Sequence, residues 1–566
     1  MNWTRTRWVL ALLAASTVAV AGCSAGSSST PTSAAAPTPA TSAASMTPSG
    51  GVGTSTVGGS GSAPSAGGSD SATGSTSAPP SGSPGSSQPA TGTSGSTAAP
   101  PSDATLTVGF VAAPASLDFT QNDGAAIPQA LLYNVYEGLV KLDGSGKIVP
   151  LLAESWKVSE DQKVYTFILR KGVKFSNGAD FTAQDAAFSI DRVKTGWKPA
   201  VKAKMDVVAE VHAEDATTLK VALKTPSQNW LYDMTTRVGA MFSKSGVNAL
   251  ATKAIGTGPY TVQSNNPNVD MVLERNPNYW GNPVALKTVT LKYFKDATAM
   301  NNAEIGGTID VISSVQTPDN LDQFADTSKF QLIEGSTTGE VLLSLNNAKA
   351  PLNDVKVRQA ISYALDRKAI LDTVWAGKGT LIGSHAVPTD PWYEDMSNKY
   401  PHDTAKAKEL LGGKSYTLRL RVPNLPYATA AAPVVASQLQ QVGITVQVDT
   451  LDFPADWLQQ VFKDGNYDMS IINHVEPRDL ATIWGDPKYY PHFDNAEVQK
   501  LLKAGDAGTE AERNADYKKV TEVLADQAAG VWLWAFPNLI VADVDVKGIE
   551  KNQITESFDL TTLSRG

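Results

Sequence analysis

The chain has 566 residues, a formal net charge of -9 and a pI near 5.2. That is too long for one core, and it offers no basic face with which to neutralise nucleic-acid phosphates. The single cysteine, Cys23, excludes an internal disulfide and a cysteine zinc site, and five histidines are too few to suggest a histidine-rich metal centre.

The N-terminus reads as an export address. Arg5 and Arg7 precede a mainly apolar run of about 14 residues, Trp8 to Ala21, which suits a signal peptide and is too short to span a bilayer comfortably. Val20-Ala21-Gly22-Cys23 resembles the bacterial lipoprotein box. That resemblance implies a signal peptide over 1–22, cleavage before Cys23 and a lipid on its thiol. Ser24 to Ala104 is almost wholly Ser, Gly, Ala, Thr and Pro, with Asp70 and Asp103 its only charges. Such a segment buries too little apolar surface to offset chain entropy, so 23–104 is predicted to be an anchored, disordered tether. Its r.m.s. reach would be roughly 50 Å.

Ordered structure is predicted from Thr105. Thr105–Val111 and Val164–Leu169 alternate as strands, and Ile127–Glu137 reads as a helix. Thr182 with Asp185 forms a near capping box. Beyond Asn346 the pattern changes. Asn353-Asp354 is placed to cap a helix with apolar Val357, Ala360, Ile361 and Ala364, and Asp403 to cap another ending at Leu411-Gly412. Strands Tyr416–Val422, Ile444–Val448 and Tyr467–Ile472 alternate with helices Pro433–Val442 and Pro454–Phe462. This order predicts a parallel sheet with right-handed crossovers. Ligands bind beyond the carboxyl ends of such strands, which points to Asn473–Arg478.

Several segments together carry a family resemblance. They are Asn134-Val-Tyr-Glu-Gly-Leu139, Pro150-Leu-Leu-Ala-Glu-Ser-Trp156, Gly256-Thr-Gly-Pro-Tyr260, Arg275-Asn-Pro-Asn-Tyr-Trp280 and Val357-Arg-Gln-Ala-Ile-Ser-Tyr-Ala-Leu-Asp-Arg-Lys368. Over about 460 residues the chain resembles the family 5 extracellular solute-binding proteins, the oligopeptide, dipeptide and nickel receptors of ATP-driven (ABC) importers. The resemblance implies a class II periplasmic-binding-protein-like α/β clamshell with a subdivided, discontinuous first lobe. Lobe I would span 105–345 and 533–566, and lobe II 346–532. Asn134, Glu137, Pro150 and Trp156 are expected to be scaffold.

The same resemblance implies a short peptide held between the lobes and passed to a membrane permease with its ATPase. The receptor would be monomeric, lipid-anchored on the outer face of the cytoplasmic membrane, and free of nucleic acid. Glu476-Pro477 stands where the family has an ammonium-binding Asp-Pro. Asn473, His474 and Arg478 flank it. Trp375, Trp392 and Trp484, with Tyr133, Tyr260 and Arg237, are further candidates to face the ligand. Neither a catalytic residue nor a bound cofactor or metal is expected. The chain has no His-Glu-x-x-His, no Gly-x-Ser-x-Gly elbow and no reactive cysteine. The alternative ligands are a nickel chelate, another metallophore or haem, with His474 and His492 as potential ligands, and an oligosaccharide.

Overall fold

The computed structural model describes residues 99–122 and 124–566, so the expected signal peptide, lipidated Cys23 and linker as far as residue 98 lie outside the described residues. Ordered contacts begin slightly before Thr105. The Ser102 backbone N–H donates to the Ala285 carbonyl at 2.9 Å, and Asp103 pairs with Lys287. No helix among the described residues is long and apolar enough to cross a membrane.

The spine is a ten-stranded sheet. Its strands are β1 (Thr105–Phe110), β2 (Tyr260–Asn266), β3 (Asp270–Arg275), β4 (Thr288–Tyr293), β5 (Val311–Ile312), β6 (Phe330–Leu345), β7 (Tyr416–Pro423), β8 (Ile444–Leu451), β9 (Met469–His474) and β10 (Gly530–Asp543). Across the sheet they run β8-β7-β9-β6-β10-β5-β1-β4-β3-β2. β7 is parallel to both β8 and β9, as the strand–helix alternation predicts. A second sheet of four antiparallel strands (Ala153–Val158, Val164–Leu169, Thr218–Leu223 and Val208–Ala213) packs into the N-terminal core.

β6 and β10 are the longest strands and pair antiparallel. Along both, the core they serve changes. Phe330 of β6 packs with Leu539 and Val541 of β10 around Met300 and Ile309. Further along, Val341, Leu343 and Leu345 join Val531, Leu533 and Trp534 in a core with Ile361, Leu420 and Ile471. Between these two stretches the register breaks from Ser336 to Glu340, so Thr337, Thr338 and Gly339 have no partner on β10; Thr337 bridges Gln553 instead, and the Gly339 N–H donates to Thr337 Oγ1.

Three of the recurrent segments meet at one buried carboxylate. Glu137 accepts hydrogen bonds from Thr257 Oγ1 at 2.8 Å, Tyr279 Oη at 2.9 Å and Trp280 Nε1 at 2.9 Å. Burial pushes its carboxyl up to about 7, against those three donors, which lower it. Asn134 likewise donates to the carbonyls of Ala130 and Phe558 and accepts from the Leu560 N–H, tying the C-terminal segment to the first helix. Both residues are scaffold. Glu137→Ala would strand the buried Thr257 hydroxyl and two half-buried donors, and we expect a loss of about 2–4 kcal/mol. The check is a fall in denaturant midpoint at unchanged slope.

Local structure departs from expectation in several places, among them the helix expected over Pro454–Phe462, where a single α-helical turn, Ala455–Trp457, runs into a π-helix over Leu458–Lys463. The first helix is only Ala126–Leu131, because Tyr133 adopts φ 64° and the chain turns to bring Asn134–Glu137 into the core. The helix expected from Pro433 starts at Pro426, where a proline's missing N–H costs nothing, and Pro433 lies within it. The third parallel strand starts at Met469 rather than Tyr467 and ends at His474.

Candidate functional site

A cavity of about 220 Å³ lies at the carboxyl end of β9, beside the unladdered stretch of β6. Thr337–Gly339 and Phe536–Asn538 form its middle, Asn473 and Val475–Pro477 one wall, and Arg237, Ser313 and Gln553–Glu556 contribute to the other. A Cβ on Gly339 would sit 2.8 Å from Asn473 Oδ1, so any larger residue there would displace the Asn473 amide. That Oδ1 is buried and unpartnered. The Asn473 N–H donates to Tyr427 Oη at 3.0 Å, and the Thr338 hydroxyl donates to the Val475 carbonyl at 3.1 Å.

Charge in the cavity is arranged around Arg237. Glu556 grips it twice, accepting from Nε at 2.6 Å and from the backbone N–H at 2.6 Å. Nη2 lies 3.5 Å from Glu476 Oε1. The Glu476 side chain keeps 40% of its surface exposed while Arg237 keeps only 8%. Glu476 is therefore reachable from the cavity yet crowded by its walls. That burial raises its carboxyl above the ordinary range, with Lys204 and Arg237 partly offsetting it.

Beneath Asn473–Pro477 is a second, buried polar cluster. His385 Nε2 lies 2.8 Å from Asp479 Oδ1 and 3.7 Å from Glu340 Oε2. Trp532 Nε1, which can only donate, points at His385 Nδ1 at 3.3 Å. Nδ1 is thereby the acceptor, and the Nε2 proton goes to Asp479. Glu340 Oε2 has no partner, and burial and the Asp479 charge drive its carboxyl strongly upward. Glu340, His385 and Asp479 converge closely enough to suggest a metal. Coordination at Nε2, however, would turn an Nδ1–H onto the indole N–H, donor against donor, whereas histidine ligands give that proton to an acceptor. The cluster reads instead as a proton-sharing support for the cavity floor.

Of the residues predicted to face a ligand, Glu476, Asn473 and Arg237 line the cavity. The others lie elsewhere. His474 is under the floor, bonded through Nε2 to Tyr490 Oη at 2.8 Å, and burial pushes its imidazole down to about 4. His492 faces the Pro487 carbonyl. Arg478 adopts φ 54° and stacks its guanidinium 3.8 Å from the Tyr232 ring centre. Trp375 packs on Phe536, Trp392 on Tyr517 and Trp484 on Trp532, all buried. Tyr133 donates to the Thr235 carbonyl, and Tyr260 is buried in the N-terminal core. Tryptophan's large apolar area carried these side chains inward. Glu556, Thr337–Gly339 and Phe536 were not foreseen. The Arg237–Glu556 pair spans 319 residues, and no local pattern announces it.

A profile of the bacterial extracellular solute-binding proteins, family 5 Middle, matches residues 147–479. The chain is 30% identical over 496 residues to a protein of Escherichia coli K12 named probable D,D-dipeptide-binding periplasmic protein DdpA, covering 81% of this chain and 94% of that one. It is 28% identical over 482 residues to heme-binding protein A of Haemophilus influenzae, covering 76% and 86%. Its fold matches the periplasmic binding protein DppA of Helicobacter pylori, solved with the peptide STSA, at a TM-score of 0.72 and 22% identity, covering 82% and 98%.

Proposed function

The chain belongs to the family 5 bacterial extracellular solute-binding proteins, two-lobed α/β receptors of ABC importers rather than enzymes, and from that premise we propose that it captures short peptides. The observation that carries the proposal is the pairing of an open carboxylate, Glu476, with unladdered main chain at Thr337–Gly339. A peptide's ammonium group suits the first, and its backbone suits the second by strand addition. The expected lobe boundaries at 345 and 533 shift to the break in the β6–β10 ladder, where the core changes, so lobe I is assigned to 105–336 and 537–566 and lobe II to 340–535. The receptor is held outside the cytoplasmic membrane by a lipid on Cys23, works as a monomer and delivers its ligand to a permease with an ATPase. Calorimetric titration with di- to pentapeptides should give saturable binding that N-acetylation weakens. Binding confined to haem, a nickel chelate or an oligosaccharide would overturn the peptide assignment.

Two further results follow. Small-angle scattering at saturating ligand should show a more compact particle, because a ligand gripped by both lobes favours the closed state; an unchanged profile counts against a clamshell receptor. Cys23→Ala should release the protein from membranes without moving the melting temperature of the body. Retention through a salt wash would exclude lipid anchoring.

A further inference from the structure

Resting on the peptide reading, we infer that this cavity selects ligands carrying one excess positive charge, and that Glu556 sets the preference by keeping Arg237 engaged. Five ionisable groups lie in or against the cavity walls. Arg237 and Lys204 are opposed by Glu476, Glu556 and Asp233, which leaves one negative charge uncompensated. Their pairing decides where it resides. Lys204 Nζ is 3.0 Å from Asp233 Oδ1, with both side chains largely buried. Glu556 holds Arg237 through Nε and the backbone N–H together. The remaining guanidinium nitrogens face the Gly124 carbonyl at 3.5 Å and Glu476 at 3.5 Å.

A ligand carboxylate therefore meets no cation here without an acidic neighbour. Side-on bidentate capture by Arg237 would require breaking its grip on Glu556, and end-on capture through Nη1 and Nη2 would set the ligand carboxylate against Glu476. Arg478, the next cation, is occupied against the Tyr232 ring and does not line the cavity. The remaining polar walls, including Ser313, Thr338, Asn473 and Gln553, are neutral. Below the floor, Asp479 adds negative charge, while His474 stays neutral because burial depresses its imidazole. An ammonium group entering the cavity finds Glu476 open on its exposed side. In a dipeptide the terminal carboxylate stands at most roughly 7 Å from the ammonium, since each residue spans no more than ~3.6 Å. The electrostatic cost of a terminal carboxylate is then felt directly.

Isothermal titration of the full chain with alanyl-alanine, alanyl-alanine amide, lysyl-alanine and alanyl-glutamate tests this. The amide and the lysyl peptide should bind about tenfold more tightly than alanyl-alanine, and alanyl-glutamate about tenfold more weakly. Glu556→Gln removes the uncompensated negative charge and weakens the hold on Arg237, so it should erase or invert that order, with alanyl-glutamate gaining about tenfold. The amide–acid comparison in the unaltered protein decides the matter even if the variant folds poorly. Dipeptides that bind with the acid equal to or tighter than the amide would overturn the charge preference while leaving the peptide reading intact. Failure of all four to bind, with haem, a chelate or a sugar binding instead, would overturn both.

Discussion

Glu476→Gln is expected to weaken binding of a peptide with a free N-terminus by about 2–5 kcal/mol, the usual cost of removing one partner from a desolvated charge pair. The substitution preserves shape, and the residue is at the cavity surface, so the melting temperature should barely change. An N-acetylated peptide should bind the unaltered protein poorly and lose little more in the variant, which separates a direct contact from general damage. Equal losses for free and acetylated peptides would remove Glu476 from the ammonium site. Because burial holds its carboxyl above the ordinary range, acidification should weaken peptide binding sooner than an exposed glutamate would allow. Arg237 Nη2 already lies 3.5 Å away, so the incoming ammonium adds to an existing partner instead of rescuing an isolated charge.

Stability should fall as pH rises from about 4.5 toward 9, with Glu304 and Glu340 the largest contributors. Both carboxylate oxygens of Glu304 are buried and unpartnered beside Met300 and Ile309. Burial, and then the charges of Asp543 and Asp310, push its carboxyl up to about 9 from an ordinary 4.5. The nearest guanidinium, Arg565, is engaged by Asp310, Asp543 and Asp545 at once. The folded state holds this proton more tightly than the unfolded chain. Its contribution is therefore complete below the unfolded pKa and is lost as pH rises through the folded one. Between pH 4.5 and 7.5 the loss would be roughly 4 kcal/mol from this group alone. Glu137, raised to about 7, and Asp390, raised to about 6, act with the same sign. Glu304→Gln cannot titrate, so its denaturation midpoint should depend less on pH. A slope equal to that of the unaltered protein would show that Glu304 is charged throughout.

What was legible in the sequence was what local chemistry decides. Thr182 and Asp185 form their capping box, Asp354 and Asp403 cap the helices they precede, and the alternation in Tyr416–Val422 and Ile444–Val448 marks two parallel neighbours. From those strands the end of β9 could be named as a place for a ligand, and the cavity lies there. Direction was not legible. Trp375, Trp392 and Trp484 announce large apolar area but not which side of a sheet or helix will cover it. His474 directly follows Asn473 yet lies under the floor, because successive residues of a strand point to opposite faces. Pairings such as Arg237 with Glu556 depend on where two distant segments are brought together.

The stretch Thr337–Gly339 interrupts the β6–β10 ladder midway between two cores, with Pro537, which has no N–H to offer, on the facing strand. A ribbon with missing rungs is most compliant where they are missing, so bending between the two halves concentrates there instead of spreading along either strand. The same segment lines the cavity. An occupant whose own backbone supplies rungs would act as a splint across this break. Occupancy would then be written into the mechanical stiffness of the pivot itself, a quantity that slowed amide exchange at Thr338 and Gly339 would read directly.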